Sequence, residues 1–339
     1  ATGAVGEEIL SLLLERDFPY SEIVALASKR SAGKKLKVKD QEFIVQEATP
    51  DAFEGVDIAF FCAGGSVSKE MAREAVKRGA VVIDNTSAFR MDPDVPLVVP
   101  EVNPEDLKNI SPILILHPFK THSGIIANPN CSTIIMLVAL APLEKHFGLS
   151  RIIVSTYQAV SGAGVKGVEE LVTQVKNPNA KAEVLPVASL PKHYPIAYNL
   201  IPQIDVFDAD GYTKEEWKMV KETQKMLHRP ELGVTATTVR VPVVRCHSES
   251  IYVELNKDFS LDEIRDVLSK AEGVVVLDDP ENQLYPMPID IEKKDEVYVG
   301  RIRRDLVNER GLNLWVVGDQ IRKGAALNAV QIGERLLSD

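Results

Sequence analysis

Along the first third of the chain, short apolar runs alternate with segments whose apolar residues recur at helical spacing. Ile9, Leu12 and Leu13 mark the buried face of a helix predicted over 8–16, and Ile23-Val24-Ala25-Leu26-Ala27 reads as a strand after it. A further strand over 57–62 ends in Gly64-Gly65, a helix over 66–77 follows, and Val81-Val82-Ile83-Asp84 forms the next strand. Strands that alternate with helices in this rhythm build an open parallel sheet with helices on its faces, because a parallel pair cannot be closed by a tight turn.

Past residue 125 the elements lengthen. A strongly apolar helix is predicted over 131–147, then a strand over 152–157 that leads into the turn Ser161-Gly162-Ala163-Gly164. Helices follow at 165–175, 213–227 and 261–271, strands at 234–244 and 250–255, and a hairpin at 297–302 with 312–317. This succession predicts an α+β domain around a mostly antiparallel sheet. The last helix, over 325–337, is expected to return to the first domain. No internal repeat or low-complexity tract interrupts the pattern.

A length of 339 residues fits two domains. The net charge of -10 argues against a general affinity for nucleic acid or an anionic membrane, since both reward a basic surface. The longest apolar run, 134–140, falls well short of the roughly 18 residues a membrane span needs. No secretory signal is visible. The three cysteines, Cys62, Cys131 and Cys246, are odd in number and far apart, which suits free thiols in a reducing cytoplasm. No His/Cys cluster has zinc spacing, and no metal is expected.

Candidate chemistry begins at the N-terminus. Thr2-Gly3-Ala4-Val5-Gly6, opening a helix, reads as the tail of a glycine-rich dinucleotide loop, in which missing Cβ atoms let backbone N–H groups approach a pyrophosphate. An ordinary glycine turn is the alternative. The strand and first glycine of such a fingerprint are expected ahead of Ala1. About 20 residues past the loop, where an acidic group would take the adenosine ribose of NAD, the chain has Ser28-Lys29-Arg30-Ser31. Cations and hydroxyls there suit the 2′-phosphate of NADP; the alternative is a solvated basic loop continuing into Lys34, Lys35 and Lys37.

The segment Ala127-Asn128-Pro129-Asn130-Cys131-Ser132-Thr133 places a cysteine in the first turn of the apolar helix. Unpaired N–H groups and the helix dipole favour negative charge there, so a thiolate is stabilised and an oxyanion can be held. Cys62, inside an apolar strand, reads as structural.

That segment, with Gly124-Ile125-Ile126 before it, resembles the nucleophile motif of aspartate-semialdehyde dehydrogenases. The likeness runs through Asp84-Asn85-Thr86-Ser87-Ala88-Phe89-Arg90, Gln158-Ala159-Val160-Ser161-Gly162-Ala163-Gly164, Glu215-Glu216-Trp217-Lys218, Arg240-Val241-Pro242-Val243 with His247, and Gly318-Asp319-Gln320. The missing first strand and the stretch 116–123 depart from the family's pattern. The resemblance implies an α/β plus α+β protein. Its Rossmann-type NADP-binding domain would be 1–124 with 319–339, and its catalytic and dimerisation domain 125–318.

The resemblance further implies that Cys131 is the nucleophile, His247 the general acid/base and Gln158 the group that orients the acyl carbon. Arg240 would clamp the substrate carboxylate through two parallel hydrogen bonds, and Glu215 would receive its ammonium. Arg90, Lys218 and Asn130 would bind phosphate. Ser161, Gly162 and Gln320 would join Thr2, Gly3, Ala4, Val5, Gly6, Ser28, Arg30 and Ser31 at the cofactor. Glu216, Lys221 and Glu222 are expected to be surface residues. The implied reaction is NADPH-dependent conversion of L-4-aspartyl phosphate to L-aspartate 4-semialdehyde through a Cys131 thioester, by a homodimer or homotetramer. Its product serves lysine/diaminopimelate, threonine, methionine and isoleucine biosynthesis. Two other classes fit less well. A related acyl-phosphate reductase acting on N-acetyl-glutamyl phosphate needs no site for a free ammonium, and a non-catalytic homologue need not keep the nucleophile, the base and the arginines together.

Overall fold

A computed structural model describes residues 1–107 and 124–338; the divergent stretch 116–123 lies outside them. The chain divides into two units, Ala1–Pro129 with Ala325–Asp339, and Asn130–Gly324.

The first unit opens with α1 (Ala4–Glu15), whose Ile9, Leu12 and Leu13 are buried as their spacing predicts. The strand expected over 23–27 shrinks to β1 (Leu26–Ala27). Between β1 and its partner lies a hairpin, β2 (Lys35–Val38) and β3 (Gln41–Ile44), closed by Lys39 in the left-handed region. Residue order does not announce this hairpin, because Lys35 and Lys37 mask the alternation; Lys35 pairs with Glu42 across the two strands. The parallel partner of β1 is β4 (Gln46–Glu47), which offers only two residues for pairing and so sets the length of the ladder.

A parallel sheet follows, in which β6 (Val81–Asp84) lies between β5 (Ile58–Phe61) and β7 (Ile125–Ala127). The helix α2 (Gly65–Lys77) connects β5 to β6. Ile83 and Ile126 pack with Ala329 and Ile332 of the C-terminal helix (Leu327–Ser338). Phe61, one step out of phase with Phe60, faces the other way and stacks on Phe53. The last helix thus returns to the first unit, as expected.

The second unit is organised around α3 (Cys131–Phe147), which the sequence delimits correctly. Buried residues run continuously over 132–140, as befits a helix enclosed by protein. The remaining elements are β8 (Leu149–Gln158), α4 (Val165–Lys176), α5 (Lys214–Met226), β9 (Gly233–Arg240), β10 (His247–Leu255), α6 (Leu261–Ser269), β11 (Val274–Val276), α7 (Pro288–Ile291), β12 (Val297–Arg304) and β13 (Gly311–Gly318). The six strands order as β11-β12-β13-β10-β8-β9, with antiparallel pairing at the three central junctions and parallel pairing at both edges. β9 stops at Arg240, short of the predicted 244, because Pro242 has no N–H to give the ladder. β10 starts three residues earlier than predicted, since Ser248 and Glu249 interrupt the apolar alternation.

Register now places chemistry. Ile251 pairs with Val154 and Leu314, and Val253 with Ile152 and Leu312, giving two buried apolar rows. Side chains alternate along a strand, so the same face continues outward through Glu249, Thr156 and Thr238 to His247, Gln158 and Arg240 at the strand ends. That face packs on α3: a Cβ built on Gly318, opposite His247, would lie 2.9 Å from Ile135.

Glu249 is fully buried and neither carboxyl oxygen has a hydrogen-bond partner among the described residues. Burial pushes its pKa well above the usual carboxylate range, so the folded protein holds a proton there that the unfolded chain releases near pH 4.3. Folding then takes up a proton, and the stability linked to this group declines as pH rises above that value. Glu249→Gln removes the dependence. Its melting temperature is expected to match the parent's near pH 4 and to exceed it by roughly several degrees near pH 8, as followed by thermal melts across pH.

Candidate active site

Asn130 caps α3, with Oδ1 accepting from the N–H groups of Ser132 (3.0 Å) and Thr133 (3.3 Å). Cys131 occupies the next position and is half-buried. Its Sγ lies 3.4 Å from Nε2 of His247. Of the three free thiols, the other two are disfavoured as thiolates: burial, the largest influence on each, raises both Cys62 and Cys246. Cys131 alone sits at a helix N-terminus beside a histidine.

His247 is fully buried, and its Nδ1 accepts the backbone N–H of Ala159 at 3.1 Å. Burial, followed by the nearby Arg240 charge, lowers its pKa to about 3, so the ring is neutral at neutral pH. A neutral ring that accepts at Nδ1 carries its proton on Nε2. The face turned to the sulfur is therefore a donor.

Gln158 and Arg240 pair in register on neighbouring strands. Arg240 is 4% exposed; it donates from Nη1 to the Ala159 carbonyl at 2.7 Å, while its Nε has no partner among the described residues. A buried guanidinium with an unused donor is a binding group for an anion. Glu215 ties the set together. Its Oε1 accepts from Asn130 (2.9 Å) and Gln158 (3.4 Å), and its Oε2 from Lys218 (3.0 Å). Burial, the strongest single influence, would raise its pKa, but Lys218, the Asn130 hydrogen bond and Arg240 together outweigh it and hold the group at about 2. Lys218 also contacts Asp205 at 3.2 Å.

Ser161 and Gln320 meet in the same unit. Gln320 Nε2 donates to Ser161 Oγ, Ser161 donates to the Val244 carbonyl, and Gln320 Oε1 accepts the Cys246 N–H. Cys246 is in the left-handed region (φ 71°) immediately before His247, so these bonds hold a strained turn that aims the histidine. Gly162 leaves space above it: a Cβ there would come within 2.9 Å of Arg240 Nη1 and 3.3 Å of His247 Cε1.

In the first unit, Gly3 is the N-cap of α1, and the Ala1 amine donates to the Leu26 carbonyl at 2.7 Å, which brings the Thr2–Gly6 segment, helical from Ala4, beside β1. The next turn, capped by Ser28, exposes Lys29 and Arg30 and buries Ser31. Arg90 also belongs to this unit, where its guanidinium donates to the Asn85 carbonyl; it is not among the residues gathered around Cys131 within the second unit.

Glu216 and Glu222, expected at the surface, are buried. Glu216 closes a capping box with Thr213 and accepts the Thr238 N–H, and Glu222 accepts the Asn130 N–H. Lys221 is exposed, over the Trp217 ring. Gly324 was missed entirely: a Cβ built on it would lie 3.0 Å from the Cβ of Cys131. Gly324→Ala is expected to displace the sulfur and to lower kcat on the order of 10-fold or more without unfolding the protein, which kinetics beside a melting curve will check.

Two family models match the chain: "Semialdehyde dehydrogenase, NAD binding domain" over 1–110 and "Semialdehyde dehydrogenase, dimerisation domain" over 140–323. An aspartate-semialdehyde dehydrogenase of Bacillus subtilis is 54% identical, covering 99% of this chain and 95% of its own, and one of Aquifex aeolicus is 55% identical, covering 100% and 96%. The crystal structure of aspartate semialdehyde dehydrogenase II of Vibrio cholerae, complexed with ASA, aligns with a TM-score of 0.89 at 45% identity over 100% of this chain and 96% of that one. The Candida albicans enzyme, whose structure includes NADP, aligns with a TM-score of 0.75 at 27% identity over 99% and 96%. A donor-faced thiol at a helix tip, a buried arginine beside it and full-length likeness of this degree agree, and the chain belongs to the aspartate-semialdehyde dehydrogenase family.

Proposed function

We propose that Cys131, His247 and Gln158 carry out the family's reaction, the reduction of L-4-aspartyl phosphate to L-aspartate 4-semialdehyde with NADPH. The observation that carries this reading is the 3.4 Å approach of the Cys131 sulfur to His247 Nε2 at the start of α3. Because that nitrogen already bears the proton of the neutral ring, it offers the sulfur no lone pair. Ionisation of Cys131 then falls to the helix N-terminus, and His247 contributes by donation.

The sulfur attacks the acyl carbon, the carbon–oxygen bond to phosphate breaks, and phosphate departs, leaving a thioester on Cys131. NADPH, when bound, supplies the hydride that reduces this acyl group. The tetrahedral oxygen so formed is negative, and the first-turn N–H groups of α3 and His247 Nε2–H are the donors that steady it. Its collapse breaks the carbon–sulfur bond, frees the aldehyde and returns the thiolate to its helix tip. Gln158 orients the acyl group, Arg240 holds the carboxylate and Glu215 the ammonium, with Lys218, Asn130 and Arg90 serving phosphate.

For the cofactor, the glycine-capped start of α1 offers backbone donors to a pyrophosphate, through Thr2, Gly3, Ala4, Val5 and Gly6. Ser28, Arg30 and Ser31 present hydroxyls and a cation for the 2′-phosphate, and no carboxylate stands in that turn. Ser161, Gly162 and Gln320 serve the nicotinamide end. The match to a dimerisation domain supports an oligomer; a homodimer through the second unit is the simplest form. No helix among the described residues is long and apolar enough to cross a membrane, and the cytoplasm is the proposed location.

The test is phosphate-dependent NADP reduction by L-aspartate 4-semialdehyde, compared with N-acetyl-glutamate semialdehyde. Activity on the first and not the second is expected; the opposite preference would overturn the substrate assignment.

A further inference from the structure

Glu222 lies seven residues after Glu215 on α5, two helical turns along the same face, and is 1% exposed. Its Oε2 accepts the backbone N–H of Asn130 at 2.6 Å. An N-cap residue has no backbone partner for that N–H in its own helix; a Glu or Gln at the third helical position can reach back to it, but that position here is Thr133, and the acceptor comes from α5. Asn130 is thereby fixed from three sides: its N–H by Glu222, its Nδ2 by Glu215, and its Oδ1 by the first N–H groups of its own helix. The next residue is Cys131. With the cap immobile, the direction in which Cys131 leaves the helix tip is set, and with it the distance from sulfur to His247.

We propose that Glu222 is a positioning residue for the nucleophile, acting through the Asn130 backbone. The proposal rests on the reading of Cys131 as the nucleophile. A carboxylate near the sulfur does nothing to promote the thiolate, because like charges disfavour one another; the contribution of Glu222 is the geometry its hydrogen bond imposes. Sequence alone gives no sign of this, since Glu222 and Asn130 are 92 positions apart.

Glu222→Ala and Glu222→Gln in the full chain provide the test, with kcat and KM measured beside the rate of Cys131 alkylation by iodoacetamide across pH. Peptide mass spectrometry separates Cys131 from Cys62 and Cys246, and melting curves report folding. The alanine variant is expected to lose kcat on the order of 10²-fold with KM within about threefold, as for a misplaced reacting group. Its alkylation profile should move to higher pH as the first turn loosens. The glutamine variant keeps an oxygen acceptor without the charge and should recover most of both. Parent-like kcat and alkylation in the alanine variant overturn the proposal, as does a folded glutamine variant equally impaired. If the alanine variant does not fold, Glu222→Asp, which keeps the charge and shortens the reach, replaces it: a loss of kcat supports the proposal and a parent-like kcat overturns it. Turnover surviving in Cys131→Ala would sink the nucleophile reading instead, and the alkylation profile of the Glu222 variants would still report on the cap.

Discussion

Cys131→Ser is expected to lower kcat on the order of 10⁴-fold or more, the scale seen when a covalent nucleophile is removed. Serine keeps the shape, but a hydroxyl is scarcely ionised at neutral pH, and the helix tip that favours a thiolate cannot make an alkoxide. Because the substituted position is half-buried and followed by a run of buried residues that the change leaves alone, the fold should survive. Substrate binding, which we assign to Arg240 and Glu215, should survive with it. The expected signature is therefore a collapsed kcat with substrate affinity, measured by equilibrium binding, close to the parent's. The Cys62→Ser variant should stay active, since Cys62 lies in the first unit at the end of β5 and its thiol is raised by burial.

Arg240→Leu should act on KM. Removing one partner of a buried, charged hydrogen bond costs enough to raise KM about 10²- to 10³-fold, and Arg240→Lys should recover little, because an ammonium lacks the fork that matches a carboxylate. The same change has an electrostatic sign. Burial is the main cause of the low His247 pKa and the Arg240 charge the second, so without the guanidinium the pKa should rise from about 3 while burial still keeps it below its ordinary value. Glu215 loses a cation and should rise from about 2. Proton NMR of the His247 ring across pH reads this directly; an unmoved titration would mean that the charge is screened from the site.

Much of this was legible in residue order. The start of α3 could be read because a polar, proline-containing run stops abruptly at an apolar helix, and an N-cap asparagine is a local signal. The row of His247, Gln158 and Arg240 could be anticipated only through family likeness, since its members come from three strands whose register emerges on folding. What stayed hidden was non-local. Helix α5 opens with Lys214, Glu215 and Glu216, as a solvent-facing helix would, yet Glu216 and Glu222 are buried because their partners are backbone N–H groups of a distant strand and a distant cap. Gly324 carries no side-chain signal at all, and only its nearness to Cys131 gives it meaning. The β2–β3 hairpin escaped notice for a simpler reason: lysines on an exposed two-stranded ribbon look like a loop.

The proposed chemistry requires an acyl group carried by one sulfur. Incubating the protein with L-4-aspartyl phosphate without NADPH, quenching in acid and mapping peptides by mass spectrometry tests this most directly. The account predicts one aspartyl group, labile to hydroxylamine, on the peptide containing Cys131, and its disappearance when NADPH is added. Acylation on another residue, or no acylation under conditions that support full turnover, would contradict it.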